Sequence, residues 1–301
     1  MKKLIKKYIH PAIYKVFDFS NNRTSEKIYP TYEEAARNCS STPYQEDELI
    51  QVILLKTKSF IKKLENETIP VWPTSAYSKI SIINPIIESN KEKLNVIDFG
   101  GACGAHYFHL RHIISKKIKF NWVVVETPKM VQYAKEFSNE ELSFSDNLEE
   151  AIKEMPEIDL LHTSGTLQCV DNPYKYLSTI LNSGAKWILF NRMGLNKSES
   201  DVVTILRTKL SWNGIGELPE GFNDKWISYP FTYVSEKTFI NEIDKNYKII
   251  AKFEESSGSH KVNKIETIGF GLLCKLKNYA VYVLFKINSV IEIFEAALIP
   301  V

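Results

Sequence analysis

From residue 94 onward the chain alternates between two periodicities. Short apolar, β-rich runs at 94–99, 120–126, 142–145, 158–162 and 186–191 read as buried strands, and helical patterns at 105–115, 128–137, 147–153 and 173–181 lie between them. Such alternation predicts a parallel sheet covered by helices on both faces. Ser235 caps a further helix to about residue 244, and 247–254 and 266–276 then read as two closing strands. They form a β-hairpin whose polar loop is 255–260. Five alternating units ended by a hairpin predict a Rossmann-like α/β fold with a seven-stranded, mostly parallel sheet.

The residues before 94 are helical in pattern. In the first twenty, Leu4, Ile5, Tyr8 and Ile9 share one helical face and Lys2, Lys3, Lys6 and Lys7 crowd the other. This basic amphipathic helix either packs on the protein or contacts an anionic membrane surface. Residues 21–25 read as a loop. Thr31-Tyr32-Glu33-Glu34 is a capping box opening a short helix. A longer helix over 46–64 starts with acids and ends with lysines, as the helix dipole favours. Pro70 and Pro73 mark a joint, and 76–89 is a helix bent at Pro85. The expected organisation is a helical extension over 1–75, a sheet domain over 76–276 and an amphipathic helix over 277–301.

Residues 192–230 break the alternation, carry Trp212, Trp226, Tyr229 and several glycines, and follow the fifth strand. Insertions at the carboxyl edge of such a sheet cover the ligand crevice, so the stretch reads as a substrate lid or wall. Near the C-terminus, Lys286, Asn288, Glu292 and Glu295 interrupt the apolar run. No segment reaches the roughly 20 apolar residues that span a bilayer.

Composition narrows the function classes. Of 301 residues 44% are hydrophobic and 25% charged, with a formal net charge of +2, which is ordinary for a globular protein and argues against a nucleic-acid partner. The four cysteines Cys39, Cys103, Cys169 and Cys274 are scattered, with no disulfide framework or zinc-ligand spacing. Together with a start that is not a secretory signal, this fits a reducing cytoplasm. The inner face of the membrane is the expected place if the basic helix makes contact.

The chemistry concentrates where strands end. The first strand runs into Asp98-Phe99-Gly100-Gly101-Ala102-Cys103-Gly104. Gly100, Gly101, Ala102 and Gly104 are small enough for backbone to approach a nucleotide-like ligand, and Asp98 would hold the turn or meet an amino group of that ligand. The dinucleotide pattern G-x-G-x-x-G is not met, because Ala102 stands at its second glycine. Glu126 ends the second strand about 22 residues after Gly104, where an acid accepts hydrogen bonds from ribose hydroxyls. Asp146 follows the third strand, as an N-cap or as a neighbour of an adenine amino group. Thr163 lies at the exit of the fourth strand, beside the cofactor. His162 is a general base or a hydrogen-bonded structural histidine. His106 and His109, on the first helix, are weaker candidates. Arg192 could bind a carboxylate or phosphate on the acceptor, or make only a surface ion pair. Trp226 and Tyr229 could stack on a sugar face, or be core.

With these residues assembled, the chain resembles a family of bacterial methyltransferases whose genes tend to lie in lipopolysaccharide, O-antigen and capsule clusters. The resemblance covers nearly the whole chain. It runs through Tyr29-Pro30-Thr31-Tyr32-Glu33-Glu34-Ala35, Val96-Ile97-Asp98-Phe99-Gly100-Gly101 and Trp122-Val123-Val124-Val125-Glu126. It continues in Leu167-Gln168 with Asp171-Asn172-Pro173-Tyr174, and in Tyr229-Pro230. Two departures fall on the acceptor side: Asn191 precedes Arg192 where an acid is expected, and His162 replaces a small polar residue.

The resemblance implies a class I fold using S-adenosylmethionine. The reaction would be in-line displacement on the sulfonium methyl, needing positioning and desolvation rather than a metal. The implied partner is a small-molecule or glycan acceptor, through a hydroxyl or carboxyl of a surface-glycan precursor. Two alternatives stand beside it: a non-catalytic scaffold of the same fold in polysaccharide assembly, and a nicotinamide-dependent enzyme. The sequence leaves the oligomeric state open.

Overall fold

The computed structural model describes residues 27–39, 45–66, 92–155 and 157–277, without the side chains of 255–260. The basic N-terminal helix, the loop at 21–25, the proline joint, the helix at 76–89 and the C-terminal helix fall outside the described residues.

The centre of the sheet is β1 (Lys93–Phe99), flanked in parallel by β2 (Lys119–Val125) and β4 (Leu160–Ser164). β3 (Leu142–Ser145) lies outside β2, and β5 (Trp187–Asn196) outside β4. The helices α3 (Ala105–Ile113), α4 (Pro128–Ala134), α5 (Leu148–Glu154) and α6 (Pro173–Leu181) connect these strands in turn. A late helix α7 (Glu236–Asn246), capped by the Ser235 hydroxyl, leads into β8 (Tyr247–Val262) and β9 (Ile265–Leu276). β9 inserts antiparallel between β5 and β8. The core order is therefore β3-β2-β1-β4-β5-β9-β8, a Rossmann-like arrangement with one antiparallel strand.

Near-continuous apolar runs are what a strand buried on both faces requires. One face buries Ile97, Leu161, Ile188 and Phe190 against α5, α6 and α7, with Phe190 edge-on to Phe239 at 5.2 Å. The other buries Val96, Trp122, Val124 and Leu160 against Tyr107 and Leu110 of α3. Each such side chain stabilises the fold by roughly 1.5–3 kcal/mol.

Two expectations are corrected. The closing hairpin does not turn within 255–260; β8 continues with a bulge between Glu254 and Ser259 and reverses at Asn263 and Lys264. Both of these have positive φ, +45° and +70°, as a two-residue type I′ turn demands. The stretch 192–230, expected to break the strand pattern, is regular. β5 runs on to Asn196, and β6 (Val202–Lys209) pairs antiparallel with β7 (Trp226–Ser235) along its whole length. β5 outruns β4, and beyond β4's end Leu195 and Asn196 pair in parallel with Val234 and Ser235 of β7. This brings the added hairpin into the same nine-stranded sheet.

The two described N-terminal helices dock at different places. The helix α1 (Tyr32–Arg37), whose first turn is capped by Thr31 Oγ1 accepting from the Glu34 N–H, packs on β6 and β7. The helix α2 (Asp47–Asn66) buries Leu49, Ile50, Val52 and Ile53 in a cluster with Cys103 of the first turn and Met130 of α4. Buried Lys56 on α2 donates to the carbonyls of Ser211 and Asn213 at 2.9 and 2.7 Å, tying this helix to the loop between β6 and β7. Among the described residues, no helix is long and apolar enough to cross a membrane.

Candidate functional site

The turn after β1 crosses β2 closely. The Gly100 N–H donates to the Val125 carbonyl at 2.8 Å, extending the β1–β2 ladder by one bond. Gly100 and Gly104 have φ of +77° and +79°, and Ala102 also lies in the left-handed region at +51°. The glycines do not all leave room for a ligand. A Cβ on Gly100 would meet Thr166 Oγ1 at 1.9 Å, and one on Gly101 would meet Asp98 Oδ2 at 2.4 Å. A Cβ on Gly104 would face Leu142 and Phe144 at 3.3 and 3.5 Å, so this glycine makes space for β3 side chains and for the start of α3.

Glu126 sits across that turn. Its Oε1 accepts the Ala102 N–H and its Oε2 the Thr127 N–H, both at 3.0 Å. Burial raises the Glu126 pKa, and the two backbone donors only partly offset this. A carboxylate has about four acceptor positions, so two hydrogen bonds leave capacity for a diol at this edge. The first turn of α3 begins at Gly104 without a side-chain cap, which leaves its amides suited to an anionic group. Asp146 is exposed at the end of β3. It is not the N-cap of α5; that is Asn147, whose side chain accepts the Glu150 N–H at 3.1 Å.

Asp98 and His162 each take the interior one of their two expected roles, an acid that holds the turn and a hydrogen-bonded structural histidine. Asp98 is fully buried behind Gly101, so it does not reach the crevice. Its Oδ1 lies 2.8 Å from His162 Nδ1 and its Oδ2 lies 3.0 Å from His106 Nδ1. Burial alone would raise the Asp98 pKa, but the two imidazoles outweigh it and hold the carboxyl far below the ordinary carboxylate range. The other nitrogen of His162, Nε2, lies 3.1 Å from Asn191 Oδ1. His162 is 2% exposed with both ring nitrogens engaged, so it cannot take a proton from an acceptor. His106, the weaker candidate by sequence, is the partly exposed member of the group. The readable signal was its place in the first turn of α3, two residues beyond Gly104. His109 is buried edge-on to Phe60 of α2 at 6.0 Å and is structural.

Thr163 alternates to the opposite face of β4 from His162 and is fully buried, so its side chain does not line the crevice expected of it. Arg192 lies at a bulge where β5 slips against β9 between Phe190 and Met193, and has φ of +52°. Its guanidinium folds back over Gly165 and donates to Ser164 Oγ at 3.0 Å and to the Ser164 carbonyl at 2.9 Å. Gln168 Nε2 donates to the Arg192 carbonyl at 2.6 Å. Arg192 thus braces the β4 exit.

The two aromatic candidates separate. Tyr229 is core, packed with Val202, Phe231 and Tyr233. Trp226 is 42% exposed, edge-on to Trp212 at 5.4 Å, with the guanidinium of Arg207 5.5 Å above its ring. It lines an open cavity of about 570 Å³ with Asn38, Cys39, Ile205, Arg207 and Ser228.

No protein-family model matches the chain, and no curated protein does. The chain is similar to several solved structures. An S-adenosylmethionine-dependent methyltransferase of Clostridium acetobutylicum is 15% identical, with 74% of this chain and 98% of that one covered and a TM-score of 0.41. The CcbJ methyltransferase of Streptomyces caelestis is 9% identical over 77% and 99%, with a TM-score of 0.43. The magnesium protoporphyrin IX methyltransferase of Synechocystis, solved with bound S-adenosylhomocysteine, is 12% identical over 77% and 100%, with a TM-score of 0.40.

Proposed function

We propose that the chain binds S-adenosylmethionine across the carboxyl ends of β1 and β2 and transfers its methyl group to an acceptor. The observation that carries this reading is Glu126, an acid at the end of β2 bonded to the first turn at Ala102, with acceptor capacity left for a ribose diol. Antiparallel β9 between β5 and β8 favours this reading over a nicotinamide enzyme, whose sheet more often continues in parallel.

The proposed cofactor set is the backbone of Gly100, Gly101, Ala102 and Gly104, the Glu126 carboxylate, and Asp146 at the rim. The uncapped start of α3 would meet the methionine carboxylate. The cofactor supplies an already activated methyl. The residues therefore need to orient the acceptor in line and exclude water. No base is assigned, because His162 is enclosed. On the acceptor side, the open ring of Trp226 and the guanidinium of Arg207 suit a sugar carrying an anionic group. This supports a hydroxyl or carboxyl of a surface-glycan precursor, and with it a place in the cytoplasm or at the inner membrane face.

Thermal-shift and calorimetric titration with S-adenosylmethionine, S-adenosylhomocysteine and NAD tests the reading. The two sulfur nucleosides should stabilise the protein and NAD should not. Saturating S-adenosylhomocysteine that neither shifts the melting temperature nor gives a heat of binding would overturn it.

A further inference from the structure

We propose that Asp98, His106 and His162 are a binding site for one divalent first-row transition ion. The inference goes beyond the methyl-transfer reading and does not depend on it.

Long-range pairing assembles the site. Asp98 of β1 and His162 of β4 are direct partners in the parallel register, so strand pairing itself sets their side chains side by side on one face. His106 comes from the first turn of α3, brought back over β1 by the glycine turn. The three side chains each offer a ligand atom, and these atoms lie within 4.8 Å of one another. Among the described residues this is the one cluster of three such groups.

The distances suit an ion. Zinc binds imidazole nitrogen at about 2.0–2.1 Å and carboxylate oxygen at about 2.0–2.2 Å, so donors around one ion sit roughly 3–3.4 Å apart. Asp98 already lies 2.8 Å from His162 Nδ1 and 3.0 Å from His106 Nδ1. The imidazole rings are 4.7 Å apart at 78°, with both Nδ1 atoms on the same carboxylate. Asp98 Oδ1 lies 2.8 Å from His162 Nδ1 and 3.3 Å from His106 Nδ1, so one oxygen already faces both imidazoles.

The chemistry is selective. Two imidazoles with one carboxylate suit zinc, iron(II), cobalt(II) or nickel(II) rather than magnesium or calcium, which take all-oxygen sets. Three protein ligands leave at least one position open. The surroundings resemble those of a built site. Asn191 Oδ1, placed by the β5 bulge, lies 3.1 Å from His162 Nε2 and can hold that ring with Nδ1 turned to the ion. The Asp98 charge is fully buried, and a cation there would neutralise it. Entry is open on the His106 side, where the side chain is 18% exposed.

The test uses the untagged full chain, stripped with a chelator, supplied with Zn²⁺ alone and desalted. One zinc per chain should remain by elemental analysis. X-ray absorption at the zinc edge should show imidazole scatterers and no sulfur. His106→Ala should weaken zinc affinity at least tenfold while keeping the wild-type circular dichroism. The proposal is overturned by no retained zinc, by a sulfur shell, or by a folded His106→Ala protein that binds zinc like the wild type. The first two outcomes come from the unaltered chain, so a folding defect in the variant cannot mask them. Calorimetry of S-adenosylmethionine on the same metal-free protein runs in parallel, so either reading can fail without the other.

Discussion

The carboxylate of Glu126 accepts the backbone N–H of Ala102 at 3.0 Å, across the gap between the end of β2 and the turn after β1. Ala102 has φ of +51°, an arrangement costing a non-glycine residue about 1–2 kcal/mol. The hydrogen bond helps hold that turn, so the acid proposed to grip the ribose also shapes the loop beneath it.

Removing this acid should therefore act on binding. Glu126→Ala is expected to weaken S-adenosylmethionine binding by about 1–3 kcal/mol, measured by calorimetry. The pH dependence has a definite sign. The Glu126 pKa is raised in the folded protein, mainly by burial. Affinity that needs the ionised carboxylate is lost as pH falls through that raised value, above where an ordinary glutamate would titrate. Binding that is flat in pH down to about 4.3, the ordinary glutamate value, would contradict this.

Asp98 makes the opposite prediction for stability. Its folded-state pKa lies below the unfolded one, so its contribution is present above about 3.9, the unfolded value, and is lost as pH falls from there towards the folded pKa. Asp98→Asn should lower stability at neutral pH. Denaturant titrations should show the difference from wild type shrinking below about pH 4.

Gly100→Ala should destabilise by about 1–3 kcal/mol, because the new methyl meets Thr166 Oγ1 at 1.9 Å and φ is +77°. The double variant with Thr166→Gly should recover the steric share only. Full recovery in a double-mutant cycle would show that the left-handed backbone costs nothing.

Lys56→Met should cost about 2–3 kcal/mol, since the carbonyls of Ser211 and Asn213 lose a charged donor inside the protein. Lys264→Gly should do the reverse. It relieves a lysine at φ of +70° in the hairpin turn and should stabilise by about 1 kcal/mol in denaturant melts.

Much of the fold could be read from the sequence because strands buried on both faces are written as apolar runs. β1 to β3 are found within one residue of expectation, and β4 begins two residues later. β8 reads short in the sequence because an edge strand can carry Ser256, Ser257 and Gly258, which otherwise read as loop. β6 and β7 are hidden in the sequence for another reason. Val202 to Leu206 is β-branched and apolar, but Pro230 lies inside β7, and proline normally argues against a strand. β7 tolerates it because beyond its last two residues it pairs with β6 alone. The turn after β1 and an acid at the end of β2 beside it could be read from spacing. The meeting of Asp98, His106 and His162 could not, because it depends on the register of strands 64 residues apart in sequence. Burial alone decided that Thr163 and Tyr229 are interior.

The splice of β7 onto the end of β5 has a consequence for how molecules come and go. A flap hung on loops can swing aside; a ribbon stitched by main-chain bonds to the central platform moves only when that platform does. The acceptor proposed to sit beside Trp226 would then meet a wall held in place by that platform.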